Sequence, residues 1–283
     1  MSGLSKNFKD NQNDLSVYGS PNNQFGDTMV GGKDVEKINT MLADAFTDGS
    51  AGVGEALVKI GEHKGRSIFE QKAADQIRMS LDDDGAAYVK LIVRELDPGL
   101  GLLALAGGFK DEGETDQEAA DREEMEEAAG EAGKLLAKHE IARHPVAGDV
   151  RVWGGPDRDD GVKNGDVIAM STMGMVPVVQ NAHTHDVQAG DDATQAGWVK
   201  LTDLQDANVF GIKGHAKMLA KAAELAGVPE QLPQSFTQTL QDREQDILVG
   251  TAEQYQAANA LVSSSGNAPS EYKKKAPSQR HGK

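Results

Sequence analysis

Apolar residues along this chain repeat first at helical spacing, then at every second position, then helically again, a succession that predicts strands bracketed by helices. From Asp34, the residues Val35, Ile38, Leu42, Ala45 and Phe46 fall three or four apart as far as the stop signal Gly49. A second short helix is expected over Val53 to Ile60, among Gly52, Gly54 and Gly61. Their amphipathic faces must be buried against the main domain or a partner. At Ile77 the period drops to two, with Ile77, Met79 and Leu81 alternating with polar residues before a turn at Asp82 to Gly85. Tyr88 to Glu95 is apolar enough for a central strand, Asp97-Pro98-Gly99 turns the chain, and Leu102 to Leu105 leads into a glycine loop. Thr115 with Glu118 is a capping box, so a helix should start after Thr115 and run on towards His139. Val150 to Trp153 and Val167 to Met175 read as a strand pair, and Trp198, Val199 and Leu201 as the last strand. Ile212, Ala216, Leu219, Ala223 and Ala226 mark a helix ended by Gly227 and Pro229. Phe236, Leu240 and Ile247 suggest one more, extending past Tyr255.

Both ends lack such periodicity. Residues 1–32 are rich in Asn, Gly, Ser and Asp and read as a flexible arm, and the tail carrying Lys273 to Lys275 and Arg280 reads as disordered and locally basic. The 283 residues suffice for one sizeable domain with extensions, or for two small domains. A formal net charge of -16 argues against binding nucleic acid backbones. The absence of cysteine excludes disulfides and thiolate metal sites. No apolar leader or run of about 18 apolar residues occurs, so a cytoplasmic protein without a membrane span is expected.

The chemistry is concentrated in GFKDEGETDQEAADREEMEEAAG, Gly108 to Gly130. Counting about 100° per helical residue from Glu123, Glu126 lies at about 300° and Glu127 at about 40°, so three carboxylates share one arc. Like charges so close repel, and a hard divalent cation such as Mg²⁺ or Mn²⁺, which takes oxygen ligands, would cancel that repulsion. An acidic solvated helix face is the alternative. The spacing resembles the Nudix hydrolase signature GX5EX7REUXEEXGU, with U a bulky apolar residue, and Gly108, Glu114, Arg122, Glu123, Glu126 and Glu127 all match it. The resemblance implies that Glu123, Glu126 and Glu127 ligate metal, that Glu114 and Arg122 pair to hold the loop against the helix, and that Gly107-Gly108 approaches the metal through its backbone. The chain departs from the family pattern at Glu124 (usually apolar), at Ala129 (usually Gly, here one residue late as Gly130) and at Ala106 (usually Pro).

Further segments resemble the ADP-ribose pyrophosphatases of that family. Pro145 lies 15 residues beyond Gly130, and a proline there is a feature of those enzymes; it could equally open a strand. The loop Pro156 to Gly161 is similar to their substrate side, where Arg158 could grip a diphosphate or ribose or be a surface arginine among acids. The loop Ala189 to Ala193 resembles the late loop that brings an acidic group to the water, making Asp192 or Asp191 the candidate base unless they are turn residues. Trp153 could stack on adenine or fill the core. His183, His185 and Asp186 are too few imidazoles, without cysteine, for a structural zinc site.

The expected fold is α/β, a Nudix α/β/α sandwich with a mixed sheet. The divisions are a flexible arm at 1–32, a helical N-terminal extension at 33–73, a Nudix domain at 74–228 and a C-terminal extension at 229–283, helical and then a disordered basic tail. The implied activity is Mg²⁺- or Mn²⁺-dependent hydrolysis of ADP-ribose, or a similar nucleoside diphosphate sugar, to AMP and ribose 5-phosphate. A non-catalytic Nudix-fold binding or structural module is the rival, and NADH or dinucleoside polyphosphates are the other substrates within the family. The substrate is then a small-molecule nucleoside diphosphate; a homodimer is expected from the resemblance alone, and the extensions could dock a protein partner.

Overall fold

The computed structural model describes residues 16–17, 57–63, 66–96, 99–129, 140–154, 167–190, 193–245 and 248–263. Ten strands form one mixed sheet among these: β1 (Ser16–Val17), β2 (Leu57–His63), β3 (Arg66–Gln76), β4 (Met79–Leu81), β5 (Ala87–Arg94), β6 (Leu103–Ala104), β7 (Ala106–Phe109), β8 (Glu140–Gly154), β9 (Val167–Gln180) and β10 (Ala193–Lys200). The main path runs β1-β8-β9-β4-β5-β10. β9 pairs in parallel with β3 along its first part and with β4 near its end, and β7 pairs antiparallel with β3. The four α-helices described are α1 (Asp116–Glu124), α2 (Lys213–Leu225), α3 (Gln234–Asp242) and α4 (Ala252–Ser263). No helix of the described residues is long and apolar enough to cross a membrane.

Period-two sequence sends alternate residues to opposite faces, and here it separates two cores. Ile77, Met79, Val89, Leu91, Val93, Leu103 and Leu105 join Met218, Leu219, Phe236 and Ala258, so α2, α3 and α4 cover one face. The other face receives α1, where Ala74 meets Ala119 and Ala120, and the turn that follows it, where Ile92, Ala104 and Ala106 meet Ala128. The result is the expected α/β/α layering with a mixed sheet.

Several expectations are corrected. The helix expected over Val53 to Ile60 is instead strand β2 where described, paired antiparallel with β3. Val58 and Ile60 are β-branched, Gly61 disfavours helix, and β3 supplies the ladder that local spacing could not reveal. Strands thus replace helix in the later part of 33–73, while the helix expected from Asp34 to Gly49 lies outside the described residues. Within the expected arm, Ser16–Val17 pairs in parallel with Arg151 and Val152. The glycine loop is strand β7, with Gly107 opposite Asp75 and Gly108 opposite Ala74. Pro145 does not open a strand; β8 begins at Glu140, and Ala142 and Arg143 already pair with β9. The single helix expected beyond Pro229 is two, α3 and α4. Arg243 ends the first by donating to the carbonyl oxygens of Phe210 at 2.8 Å and Gln245 at 2.7 Å. Thr251 and Gln254 then cap α4 reciprocally, N–H to Oε1 at 2.8 Å and N–H to Oγ1 at 3.2 Å.

Candidate active site

The start of α1 is fixed by its capping box: Glu118 N–H donates to Thr115 Oγ1 at 3.2 Å and Thr115 N–H to Glu118 Oε2 at 2.9 Å. Two features place the acidic end of the helix differently from an unbroken α-helix. α1 stops at Glu124, and Met125–Ala129 forms a π-helical turn, a form often found at functional sites. Glu126 and Glu127 therefore do not follow Glu123 at α-helical angles. Residues 130–139 lie outside the described residues.

Arg122 organises what lies on the outer side. Its Nε and Nη2 hold Glu114 as a fork at 2.8 and 3.0 Å, and Nη2 also donates to the carbonyl of Phe109 at 2.8 Å. Nη1 donates to Glu123 Oε1 at 2.6 Å and to Glu126 Oε2 at 3.2 Å. All five donors of the guanidinium are accounted for. One side chain thus ties strand β7, the loop after it, α1 and the π turn together. Glu114 is held below the usual carboxylate range by the hydrogen bond from Arg122. Glu123 moves the other way: burial, the largest influence, raises it, Arg122 opposes the rise, and the like charges of Glu126 and Glu114 add to it.

The glycines permit this approach. A Cβ on Gly108 would stand 2.6 Å from the Glu123 carboxylate, and one on Gly190 would stand 1.6 Å from the carbonyl oxygen of Glu126. Glu127 is buried and its Oε2 accepts from Gly107 N–H at 2.9 Å, while its own carbonyl accepts from Gly190 N–H at 2.8 Å. The strand of two glycines and the backbone at Gly190 therefore close on the π turn from two sides.

The donor chemistry suits a hard cation. Glu123 and Glu126 converge on one positively charged nitrogen of Arg122, which marks the place where two carboxylate oxygens already favour positive charge. Among the described residues no three Asp, Glu or His side chains form a ready-made metal cluster, since Glu127 turns to Gly107. Carboxylate oxygens are the donor type that Mg²⁺ and Mn²⁺ take, so the chemistry of Glu123 and Glu126 fits such an ion.

Of the other candidates, Arg158, Asp191 and Asp192 lie outside the described residues. Trp153 sits in β8 opposite Ile168. His183 stacks on Tyr88 with ring centroids 4.0 Å apart and contacts Ser80 Oγ through Nδ1 at 3.0 Å, so it packs the loop onto the sheet. His185 gives its carbonyl to Trp198 Nε1 at 3.2 Å.

Two buried polar groupings escaped sequence reasoning. Glu124, 2 % exposed, lies between Arg78 and Lys90, 3 % and 4 % exposed. Arg78 Nε donates to its two oxygens at 2.7 and 2.9 Å, and Lys90 Nζ and Arg78 Nη2 also contact it. Gln76 Nε2 adds a bond at 3.1 Å. Burial alone would raise the Glu124 carboxyl, but Lys90 and Arg78 reverse this and hold it to about 2. The available signal was Lys90 inside a run apolar enough to be buried on both faces. On the opposite face His215 takes Leu105 N–H on Nδ1 at 3.1 Å and turns Nε2 towards Asp75 Oδ2 at 3.4 Å.

No family model matches the chain. Among solved structures, it is similar to the Nudix domain of Shewanella oneidensis NrtR complexed with ADP ribose, at 19% identity over 55% of this chain and 87% of that one, with a TM-score of 0.38. It is similar to RenU, a Nudix hydrolase from M. smegmatis, at 22% identity over 64% of this chain and 98% of the other, with a TM-score of 0.40. A third is a bifunctional NMN adenylyltransferase/ADP ribose pyrophosphatase from Francisella tularensis, complexed with AMP and a Mn ion, at 20% identity and a TM-score of 0.31. The match covers 60% of this chain and only 41% of that protein.

Proposed function

We propose that this chain is a Nudix-type hydrolase that uses Mg²⁺ or Mn²⁺ to split ADP-ribose, or a closely similar nucleoside diphosphate sugar, into AMP and ribose 5-phosphate. One observation carries the reading: the Arg122 guanidinium gathers Glu114, Glu123 and Glu126 beside the glycine strand, while Glu127 binds that strand's N–H. Those are the positions that the sequence motif singles out. A bound divalent ion would polarise the diphosphate, activate water and stabilise charge on the leaving oxygen. The protein's part is to hold Glu123, Glu126 and Glu127 in place. Gly107 and Gly108 keep the approach free of side chains, and the loop beyond Gly190 carries Asp191 and Asp192, the candidate bases. ADP-ribose is preferred on the sequence resemblance of the segments around Pro145, Arg158 and Asp192.

The test is a panel of ADP-ribose, NADH, diadenosine polyphosphates and nucleoside triphosphates incubated with protein and Mg²⁺, with products followed by chromatography. AMP release from ADP-ribose is expected, and Glu127→Gln should reduce it more than about 100-fold, beyond the effect usual for an outer partner of a metal ligand. Hydrolysis of another compound on the panel would keep the family and change the substrate. Silence on the whole panel without binding of Mg²⁺ would sink the enzymatic reading and leave a binding or structural module.

A further inference from the structure

The buried residues of α1 are Ala119, Ala120 and Glu124. Two alanines give a smooth surface that fixes little about how far a helix slides or turns on a sheet, so the one long buried side chain determines register. That side chain stands at the last α-helical position, directly before the π turn carrying Glu126 and Glu127 and directly after Glu123. Its partners come from three places in the sheet: Gln76 at the end of β3, Arg78 between β3 and β4, and Lys90 on β5. Lys90 is also braced by Trp198 of β10, its Nζ 5.8 Å from the ring centroid.

We propose that the Arg78–Glu124–Lys90 cluster is a positioning device, which locks the junction of helix and π turn to the sheet and so sets where Glu123, Glu126 and Glu127 present their oxygens to a divalent ion. An apolar residue there would pack without preferred direction, whereas a carboxylate held by an arginine fork, an ammonium and an amide accepts one orientation. Fixing register is the best attested use of buried polar groups, since replacing them by packed apolar residues often leaves stability unharmed. Glu124 touches no substrate and acts through its neighbours. The inference rests on the metal-dependent reading above and names residues outside the ligand set.

The experiment measures Mn²⁺ binding by electron paramagnetic resonance, together with the melting temperature of the metal-free protein. The main variant is Arg78→Met/Lys90→Met/Glu124→Leu, and Arg78→Lys is the milder one, keeping the charge but losing the fork. The triple variant should melt at or above the wild type and yet bind Mn²⁺ about 10-fold or more weakly, the range found for outer partners of metal ligands. Arg78→Lys should fold normally with a smaller loss. Wild-type affinity in both folded variants would overturn the positioning role while leaving the metal site intact. A wild-type protein that binds no Mn²⁺ would remove the metal reading and this inference together.

Discussion

The two sides of one helix end carry charge clusters of opposite make-up. Outside, the single cation Arg122 serves Glu114, Glu123 and Glu126, with Asp111 at 3.7 Å. Inside, the single anion Glu124 serves Arg78 and Lys90. The outer cluster is short of positive charge and partly open to water, as the proposed metal site requires; Glu126 is 55% exposed there. The inner cluster is closed to water, its one carboxylate is engaged on both oxygens, and it holds a surplus cation. Abundance of charge is therefore a poor guide to role. What separates a ligand site from an anchor here is which sign is in excess and whether solvent reaches it.

The largest expected effect follows from exchanging a carboxylate for its amide on each side. Glu124→Gln leaves Arg78 and Lys90 buried beside a neutral group and should cost about 3–5 kcal/mol. Glu126→Gln relieves repulsion on an exposed surface and should alter metal-free stability by less than about 0.5 kcal/mol. Urea melts of both variants check this. The same melts followed into acid give the sign. Glu124 is held to about 2 against an ordinary 4.5, so its contribution is complete above pH 4.5 and lost as pH falls towards 2. Glu124→Gln should flatten that part of the acid profile. Equal costs for the two variants would mean that the inner and outer clusters do not differ as drawn.

A smaller effect is expected from Arg122→Ala. It removes the tie between loop, strand and helix without emptying a core, so metal affinity or hydrolysis should fall about 10–100-fold. Stability should change by under about 1 kcal/mol, because the pair is partly exposed and solvent screens it. Calorimetric titration with Mn²⁺ beside a thermal melt separates the two. A large drop in melting temperature with unchanged affinity would make Arg122 a structural residue only.

The contrast also explains which parts of the site could be read from sequence. The outer cluster was legible because its residues lie within Gly108 to Glu127, where a capping box and motif spacing describe a local arrangement. The strands from Ile77 to Leu105 were legible because alternation reports faces directly. Glu124 looked like a flaw in that pattern, since its partners Arg78 and Lys90 arrive through the sheet register from 46 residues away in one case. β2 and the first part of β3 were missed for a related reason. Their partners are long-range, and a local window over glycines and β-branched residues cannot supply them. The π turn has no spacing signature of its own, so an α-helical count gathered the three glutamates on one arc, whereas Glu127 turns to the Gly107 N–H.

The smallest effect should come from Lys90→Met, which sharpens the claim that the inner cluster has one cation more than it requires. Burial lowers the Lys90 ammonium below its ordinary 10.5; the attraction of Glu124 opposes that shift, and the like charge of Arg78 adds to it. The unfolded chain therefore holds this proton more tightly than the folded one. Stability should rise with pH between the depressed value and 10.5, and the cost of burying the ammonium is present in full below that interval. Removing Lys90 leaves Glu124 paired with the Arg78 fork, a neutral couple, and takes away the cost. Lys90→Met should thus stay within about 1 kcal/mol of wild type at neutral pH. Relative to wild type it should look least favourable in alkali, where wild type alone recovers the stability that the buried charge withheld. Denaturant melts at neutral pH and near pH 10 measure that crossing trend. A loss of about 3 kcal/mol or more at neutral pH would instead show that both cations are needed to hold Glu124, and the asymmetry between the two clusters would then lie in solvent access alone.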